Sequence, residues 1–373
     1  MSERRPRKIT RDMQALNAVC PYFTMFPLDF PMSVLKDARH GVVVDPFCGR
    51  GTTNLAARVR GLPTVAVDSS PVAIAATAAK LSRGKARPES IVALAKEYLS
   101  ANKKPTIPVG PFWELAYDAE VLRAICAIRE GLLESHLSDA ARALRGIMLG
   151  ALHGPKHKNG ESSYFSNQAP RTYGPKPAYA VKFWKERGLR PPKVDPIKII
   201  ELRAARAFSG AIPPVRSRTH LGDSRTVSWS EIIGDLGPVQ HVVTSPPYYG
   251  LRSYRPDQWL REWFLGGSDS VCYTAEAQVD HGSPEKFAND LATVWSRLEP
   301  VAAADARMVI RFGAINDRPV DPADIVRASI APTGWRIVHI RKAGVASRGR
   351  RQAETFRGAI SPAVEEIDVY CRL

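Results

Sequence analysis

Gly41-Val42-Val43-Val44-Asp45-Pro46-Phe47-Cys48-Gly49-Arg50-Gly51-Thr52-Thr53 is the most informative run in the chain. Three consecutive valines predict a strand buried on both faces, the kind a parallel sheet uses. The strand ends on an acid. Gly49-Arg50-Gly51 then forms a turn in which neither glycine carries a Cβ to hold the backbone away from a ligand. Residues 54–60 continue as a helix whose N-terminus faces that ligand. A second strand, Thr64-Val65-Ala66-Val67, ends on Asp68, 17 positions after Gly51, where a carboxylate can reach ribose hydroxyls. An acid at such a strand end can equally cap the next helix, here residues 71–81, with Pro71 suited to the first turn. The order strand, glycine turn, helix, strand, acid describes a nucleoside-binding half-sheet. The full dinucleotide fingerprint is absent, because no Gly-x-x-Gly is completed after Gly51.

A second turn lies far downstream. Thr244-Ser245-Pro246-Pro247-Tyr248 follows the apolar run His241-Val242-Val243, which reads as the end of a buried strand. Pro246 and Pro247 have fixed φ and no N–H, so their carbonyls point in set directions. Ser245 adds a hydroxyl and Tyr248 a flat ring. Together they suit a pocket that grips a planar base by its exocyclic amine. Pro246-Pro247-Tyr248-Tyr249 also fits the proline-rich pattern that docks in aromatic grooves.

Outward from these turns the chain reads as three parts. Residues 1–84 carry the first half of a sheet, preceded by a basic arm, Arg4-Arg5-Pro6-Arg7-Lys8, and an aromatic, proline-broken stretch over 22–31. Residues 85–215 read as a helical insertion, with helices over 89–101, 112–133, 138–152, 178–187 and 196–208. Residues 156–177 of that insertion mix cations, amides, hydroxyls and aromatics with little that could form a core, a chemistry suited to phosphate and base-edge contacts. Residues 216–373 resume the sheet, with strands over 219–224, 240–244, 306–312, 335–340 and 366–371 and helices over 285–298 and 322–331. Candidate nucleic-acid contacts are Lys156, Lys158, Arg171, Lys176, Arg252 and Arg255.

Charge points the same way. Across 373 residues, 53 Lys and Arg face 37 Asp and Glu, for a net charge of +16 that favours a polyanionic partner. No apolar run reaches the length of a membrane span, and the first residues lack the apolar region of a secretion signal. Five scattered cysteines without a Cys-x-x-Cys pair predict neither a zinc cluster nor disulfides, and point to a cytoplasmic location. His153 and His157 are separated by Gly154-Pro155, which disfavours a helical metal pair and leaves them as loop residues or phosphate neighbours.

With both turns quoted, the chain resembles the amino-group DNA methyltransferases that use S-adenosylmethionine. Residues 45–53 look like that family's D-P-F-x-G-x-G-T-T cofactor motif, and residues 244–248 like its catalytic motif in the S-P-P-Y form. That form is more typical of cytosine-N4 enzymes, whereas D-P-P-Y and N-P-P-Y are more typical of adenine-N6 enzymes. Gly222-Asp223-Ser224 looks like the intervening cofactor-contact turn. The likeness covers residues 20–82 and 216–373. It departs from many S-P-P-Y members in placing the cofactor motif first, with the insertion between the halves.

The resemblance implies a Rossmann-like α/β sheet, mostly parallel with an antiparallel C-terminal strand, and a largely helical insertion that recognises the target. It implies S-adenosylmethionine at Asp45, Phe47, Gly49, Gly51, Thr52, Asp68 and Asp223, and catalysis at Ser245, Pro246, Pro247 and Tyr248. No metal is required. The substrate would be double-stranded DNA, and a cognate restriction endonuclease is a candidate partner. The competing readings are an adenine-N6 enzyme, an RNA methyltransferase and a non-catalytic nucleic-acid-binding module. A nicotinamide oxidoreductase would need a hydride-transfer site that is not seen.

Overall fold

The computed structural model describes residues 9–22, 26–84, 86–134, 137–154, 163–168, 176–250, 255–271, 279, 282–313, 320–345 and 365–373. Two short helices, α1 (Arg11–Asn17) and α2 (Asp29–Val34), precede β1 (Val42–Asp45), α3 (Thr52–Arg60), β2 (Thr64–Asp68) and α4 (Pro71–Leu81). Six helices follow: α5 (Pro88–Ala101), α6 (Pro111–Ala116), α7 (Ala119–Glu134), α8 (Asp139–Ala151), α9 (Pro177–Glu186) and α10 (Pro196–Phe208). The sheet resumes with β3 (Ser217–Leu221), α11 (Trp229–Ile233), β4 (Val239–Thr244), α12 (Trp259–Phe264), α13 (Pro284–Leu298), β5 (Ala302–Gly313), α14 (Pro322–Ile330), β6 (Arg336–Val345) and β7 (Glu365–Arg372).

The seven strands form one sheet in the order β3-β2-β1-β4-β5-β7-β6. β1, β2, β3, β4 and β5 pair in parallel. β7 runs antiparallel to both of its neighbours. This is the expected Rossmann-like α/β architecture with its antiparallel C-terminal strand. The three valines of β1 are fully buried, because helices cover both faces of the sheet. One face packs against α11, α13 and α14 through residues such as Trp295, Leu291 and Val326. The other packs against α1, α2 and α3 through Leu35, Leu55 and Met32.

The helices between β2 and β3 build a third core around Trp113, Trp184, Ile125 and Met148, which also takes in Ala76 of α4 and Trp259 and Trp263 of α12. These helices therefore share apolar surface with elements on either side of them in the chain, α4 and α12.

Local signals explain most boundaries. Ser70, Ser138, Ser283 and Asp321 cap α4, α8, α13 and α14 by accepting backbone N–H groups. The single helix expected over 112–133 is two. Tyr117 is extended (φ −130°, ψ 141°), and its hydroxyl donates to the Leu152 carbonyl at 3.0 Å. Asp118 then caps the second helix, accepting from the Glu120 N–H at 3.1 Å. α1, α2, α11 and α12 are only five to seven residues long, too short to show a clear period in sequence.

Candidate active site

β1 and β4 are neighbours, with Val44 beside Val242. From β1 the strand order runs one way to β2 and β3, and from β4 the other way to β5. Such a reversal opens a crevice at the carboxyl ends of the two strands, where open α/β sheets bind ligands. Both quoted turns leave from those ends.

The first turn is tightly held. The Cys48 N–H donates to the Val67 carbonyl at 3.1 Å and the Gly51 N–H to the Cys48 carbonyl at 2.7 Å. The Thr77 hydroxyl donates to the Gly49 carbonyl at 3.3 Å. The buried Lys80 ammonium donates to the Arg50 carbonyl, and to Asn17 Oδ1 at 3.0 Å. Burial, reinforced by the Arg50 charge, holds that ammonium well below the usual lysine range. Gly49 and Gly51 both adopt positive φ, at 49° and 73°. Their surroundings differ. A Cβ on Gly51 would meet Thr77 Oγ1 at 2.5 Å, whereas one on Gly49 would meet nothing within 4 Å. Gly51 thus lets the turn pack on α4, and Gly49 leaves open space over the turn for a ligand to approach the backbone.

Two carboxylates hold this turn, each accepting one of its backbone N–H groups. Asp68 Oδ2 accepts the Gly49 N–H at 2.8 Å and Oδ1 the Ser70 N–H at 2.9 Å, so the side chain fastens the turn while each oxygen keeps a second lone pair. Burial raises its carboxyl, and these two bonds oppose the rise. Tyr22, from the aromatic N-terminal stretch, reaches the same spot, donating to Ser70 Oγ at 3.4 Å. Asp45 is fully buried. Its Oδ1 accepts from the Phe47 N–H at 3.2 Å and from the Thr244 hydroxyl at 2.7 Å, while Oδ2 has no partner. The Thr53 hydroxyl faces this carboxylate without reaching hydrogen-bonding geometry. Burial pushes the Asp45 carboxyl up to about 7. The Thr244–Asp45 bond joins residues 199 positions apart and ties the first turn directly to the second.

In the second turn Pro246 is buried, while Ser245, Pro247 and Tyr248 are half-buried. The Tyr248 hydroxyl donates to Glu366 Oε1 at 2.6 Å, and its ring meets Phe312 at 5.4 Å in an edge-on contact. Nearby, Arg311 forms a buried two-pronged pair with Asp368 at 2.7 and 2.9 Å and lies over the Phe30 ring at 3.9 Å. None of Lys80, Asn17, Glu366 or Arg311 was singled out from sequence. A signal existed for Glu366. Glu366 and Asp368 share one face of a strand whose other face carries Ile367, Val369 and Cys371, and buried acids need a reason.

The remaining candidates are less involved in the crevice. Phe47 packs edge-on against Trp295 at 6.1 Å. The Thr52 hydroxyl donates to Asn17 Oδ1 at 3.4 Å. Asp223 is engaged by Arg225 through both carboxylate oxygens at 2.6 to 3.1 Å, and Arg225 continues to Asp290 at 2.7 Å. Burial would raise the Asp223 carboxyl, but the Arg225 bonds outweigh it and hold the group below its ordinary value. The turn itself stays at the crevice, since the Ser224 hydroxyl donates to the Pro46 carbonyl at 2.5 Å and the Gly222 N–H to the Asp68 carbonyl at 3.0 Å.

Lys156, Lys158, Arg171 and Arg252 lie outside the described residues, as does His157. Lys176 is exposed beside α9, and Arg255 opens a short 3-10 turn before α12. His153 is no surface residue. It is 1% exposed, hydrogen-bonds Ser166 Oγ through Nδ1 at 2.7 Å, and is pulled down to about 3 by burial and the nearby Arg261, so the ring stays neutral. A separate groove of about 730 Å³ runs along the edge strand β3, lined by Arg83, Arg142, Arg218 and His220. Arg142 and Arg218 are already paired there with Asp139 and Asp235. No helix among the described residues is long and apolar enough to cross a membrane.

No family model matches the chain, and no curated protein matches it. Among solved structures it is similar to the rRNA methyltransferase AviRa from Streptomyces viridochromogenes, at 13% identity and a TM-score of 0.38 over 99% of this chain and 95% of that one. It is also similar to LepI in complex with SAM, at 10% identity and a TM-score of 0.20 over 82% of this chain and 70% of that one. At these values neither likeness bears on the chemistry, which rests on the site itself.

Proposed function

We propose that the chain is an S-adenosylmethionine-dependent methyltransferase acting on the exocyclic amine of a base extruded from DNA, with cytosine N4 favoured and adenine N6 the alternative. The observation that carries this reading is the 2.7 Å bond from Thr244 to Asp45, which joins the cofactor-type turn and the Ser-Pro-Pro-Tyr turn at the switch point of the sheet. The residues present fit such a cofactor. Open space over Gly49 admits it to the backbone, the unpartnered Oδ2 of Asp45 suits its amino-acid end, and the spare lone pairs of Asp68 suit its ribose. When bound, it supplies a methyl group already activated on a sulfonium.

The chain's own residues then position the other reactant. A nucleobase amine is a poor nucleophile, because its lone pair is delocalised into the ring. The Ser245 hydroxyl and the Pro246 carbonyl accept its N–H groups and draw the nitrogen toward tetrahedral geometry. Tyr248 stacks on the extruded base. The methylated nitrogen must shed one N–H proton; Ser245 is no strong base, so that proton passes to solvent and orientation and fixed dipoles carry the rate. The helical insertion, with the net charge of +16, supplies target recognition and phosphate contacts.

Mass spectrometry of nucleosides from DNA and RNA incubated with the protein and labelled cofactor tests the reading. Label in N4-methylcytosine from DNA is expected. Label in N6-methyladenine selects the alternative base, label confined to RNA replaces the substrate class, and no label in either overturns the proposal.

A further inference from the structure

We infer that Glu366, with Gly313, is a positioning residue that locks the Tyr248 ring in the orientation needed to stack on the extruded base. The inference rests on the methyl-transfer reading above and extends it to residues outside both motifs.

Two contacts among the described residues and one gap place Tyr248. Its hydroxyl donates to Glu366 Oε1 at 2.6 Å, the length of a charge-assisted O–H···O⁻ bond. Its ring contacts Phe312 at 5.4 Å with the planes inclined at 70°. Gly313 leaves the room that the ring and the carboxylate arm occupy, since a Cβ there would lie 2.9 Å from Tyr248 Cε2 and 3.2 Å from Glu366 Cγ. Gly313 and Glu366 are paired across β5 and β7, so one rung of the ladder supplies both the acceptor and the gap.

The carboxylate is placed deliberately. Glu366 is only 6% exposed, where an acid is retained only if something compensates its charge. Arg311, already paired with Asp368, also feels the charge of Glu366. A ring meant to stack on an incoming base must have its torsions fixed beforehand, because ordering it during capture would weaken binding. Phe312 restricts the plane of the ring and Glu366 its far end, and Gly313 leaves the ring the room to lie there.

The test compares Glu366→Ala, Glu366→Gln, Tyr248→Phe, Gly313→Ala and the Glu366→Ala/Tyr248→Phe double variant, reading kcat and KM for DNA, cofactor affinity and melting temperature. Glu366→Ala and Tyr248→Phe are each expected to lower kcat/KM about tenfold, through KM for DNA, with cofactor affinity unchanged. The double variant should lose no more than either single one, because both remove the same bond. Glu366→Gln, whose amide oxygen accepts the same hydrogen, should recover most of the loss. Gly313→Ala should reproduce it without removing any polar group.

Additive losses, a glutamine variant as impaired as alanine, or parallel loss of cofactor affinity would each overturn the inference. If the wild type transfers methyl normally and Glu366→Ala is indistinguishable from it, the inference alone fails. If the wild type transfers no methyl group to any base, the proposed function fails and takes the inference with it.

Discussion

Asp45→Asn should make the protein more stable at neutral pH while weakening cofactor binding. Asp45 is fully buried, and its carboxyl is pushed up to about 7 from an ordinary 3.8, chiefly by loss of hydration. The unfolded chain releases this proton near 3.8 and the folded chain near 7, so the folded state holds more protons in between and stability falls as the pH rises through that interval. At about 1.4 kcal/mol per pH step, the span from about pH 5 to about pH 7 is worth about 3 kcal/mol. Asparagine does not titrate, and its oxygen can still accept from Thr244 and the Phe47 N–H. The stability of the variant relative to wild type should therefore rise by about 3 kcal/mol between about pH 5 and about pH 8. At about 2 °C per kcal/mol this is roughly 6 °C in the difference of melting temperatures, read by circular dichroism across that range. Titration of cofactor into the same samples should show lost affinity. A melting difference that does not change with pH, or that moves against the variant as pH rises, would refute the account of Asp45 as a strained, buried carboxylate kept for binding.

The other perturbations separate roles within the two turns. Ser245→Ala should lower turnover about 100-fold with DNA binding intact, and Tyr248→Ala should raise KM for DNA about tenfold or more; radiolabelled methyl transfer reads both, and unchanged activity in both removes the catalytic assignment. Asp68→Ala releases the Gly49 and Ser70 N–H groups and should weaken cofactor affinity about tenfold by calorimetry; no change would refute its role. Gly51→Ala should destabilise by about 2 kcal/mol or more, since a positive φ and a Cβ only 2.5 Å from Thr77 Oγ1 act together, whereas Gly49→Ala should reduce cofactor affinity more than melting temperature. Equal stability losses at the two glycines would contradict the open space assigned above Gly49.

Short-range chemistry was readable in advance. The triple valine, the paired glycines and the Pro-Pro turn each place their constraint within a few residues, so β1, β4 and the turns that leave them follow from the local order of residues. Pro196 preceded by Asp195 likewise marks the start of α10 at the residue where it begins. The insertion's helices were legible from apolar spacing, although the break at Tyr117 was not, because its extended backbone goes with a hydroxyl bonded 35 positions away to Leu152.

The amino-acid order by itself determined the two turns, the strands that carry them and the basic character of the chain. Tertiary structure alone decided that the two turns are neighbours, through a Thr244–Asp45 bond spanning 199 positions. It also decided that Asp223 is occupied by Arg225, that His153 is buried and neutral, and that Glu366 holds Tyr248 across 118 positions. The reason is the range of the forces. Backbone preference and side-chain period act over neighbouring residues and are written along the chain, whereas burial and hydrogen-bond partnership depend on which surfaces the strand order brings together, and no local pattern encodes that order.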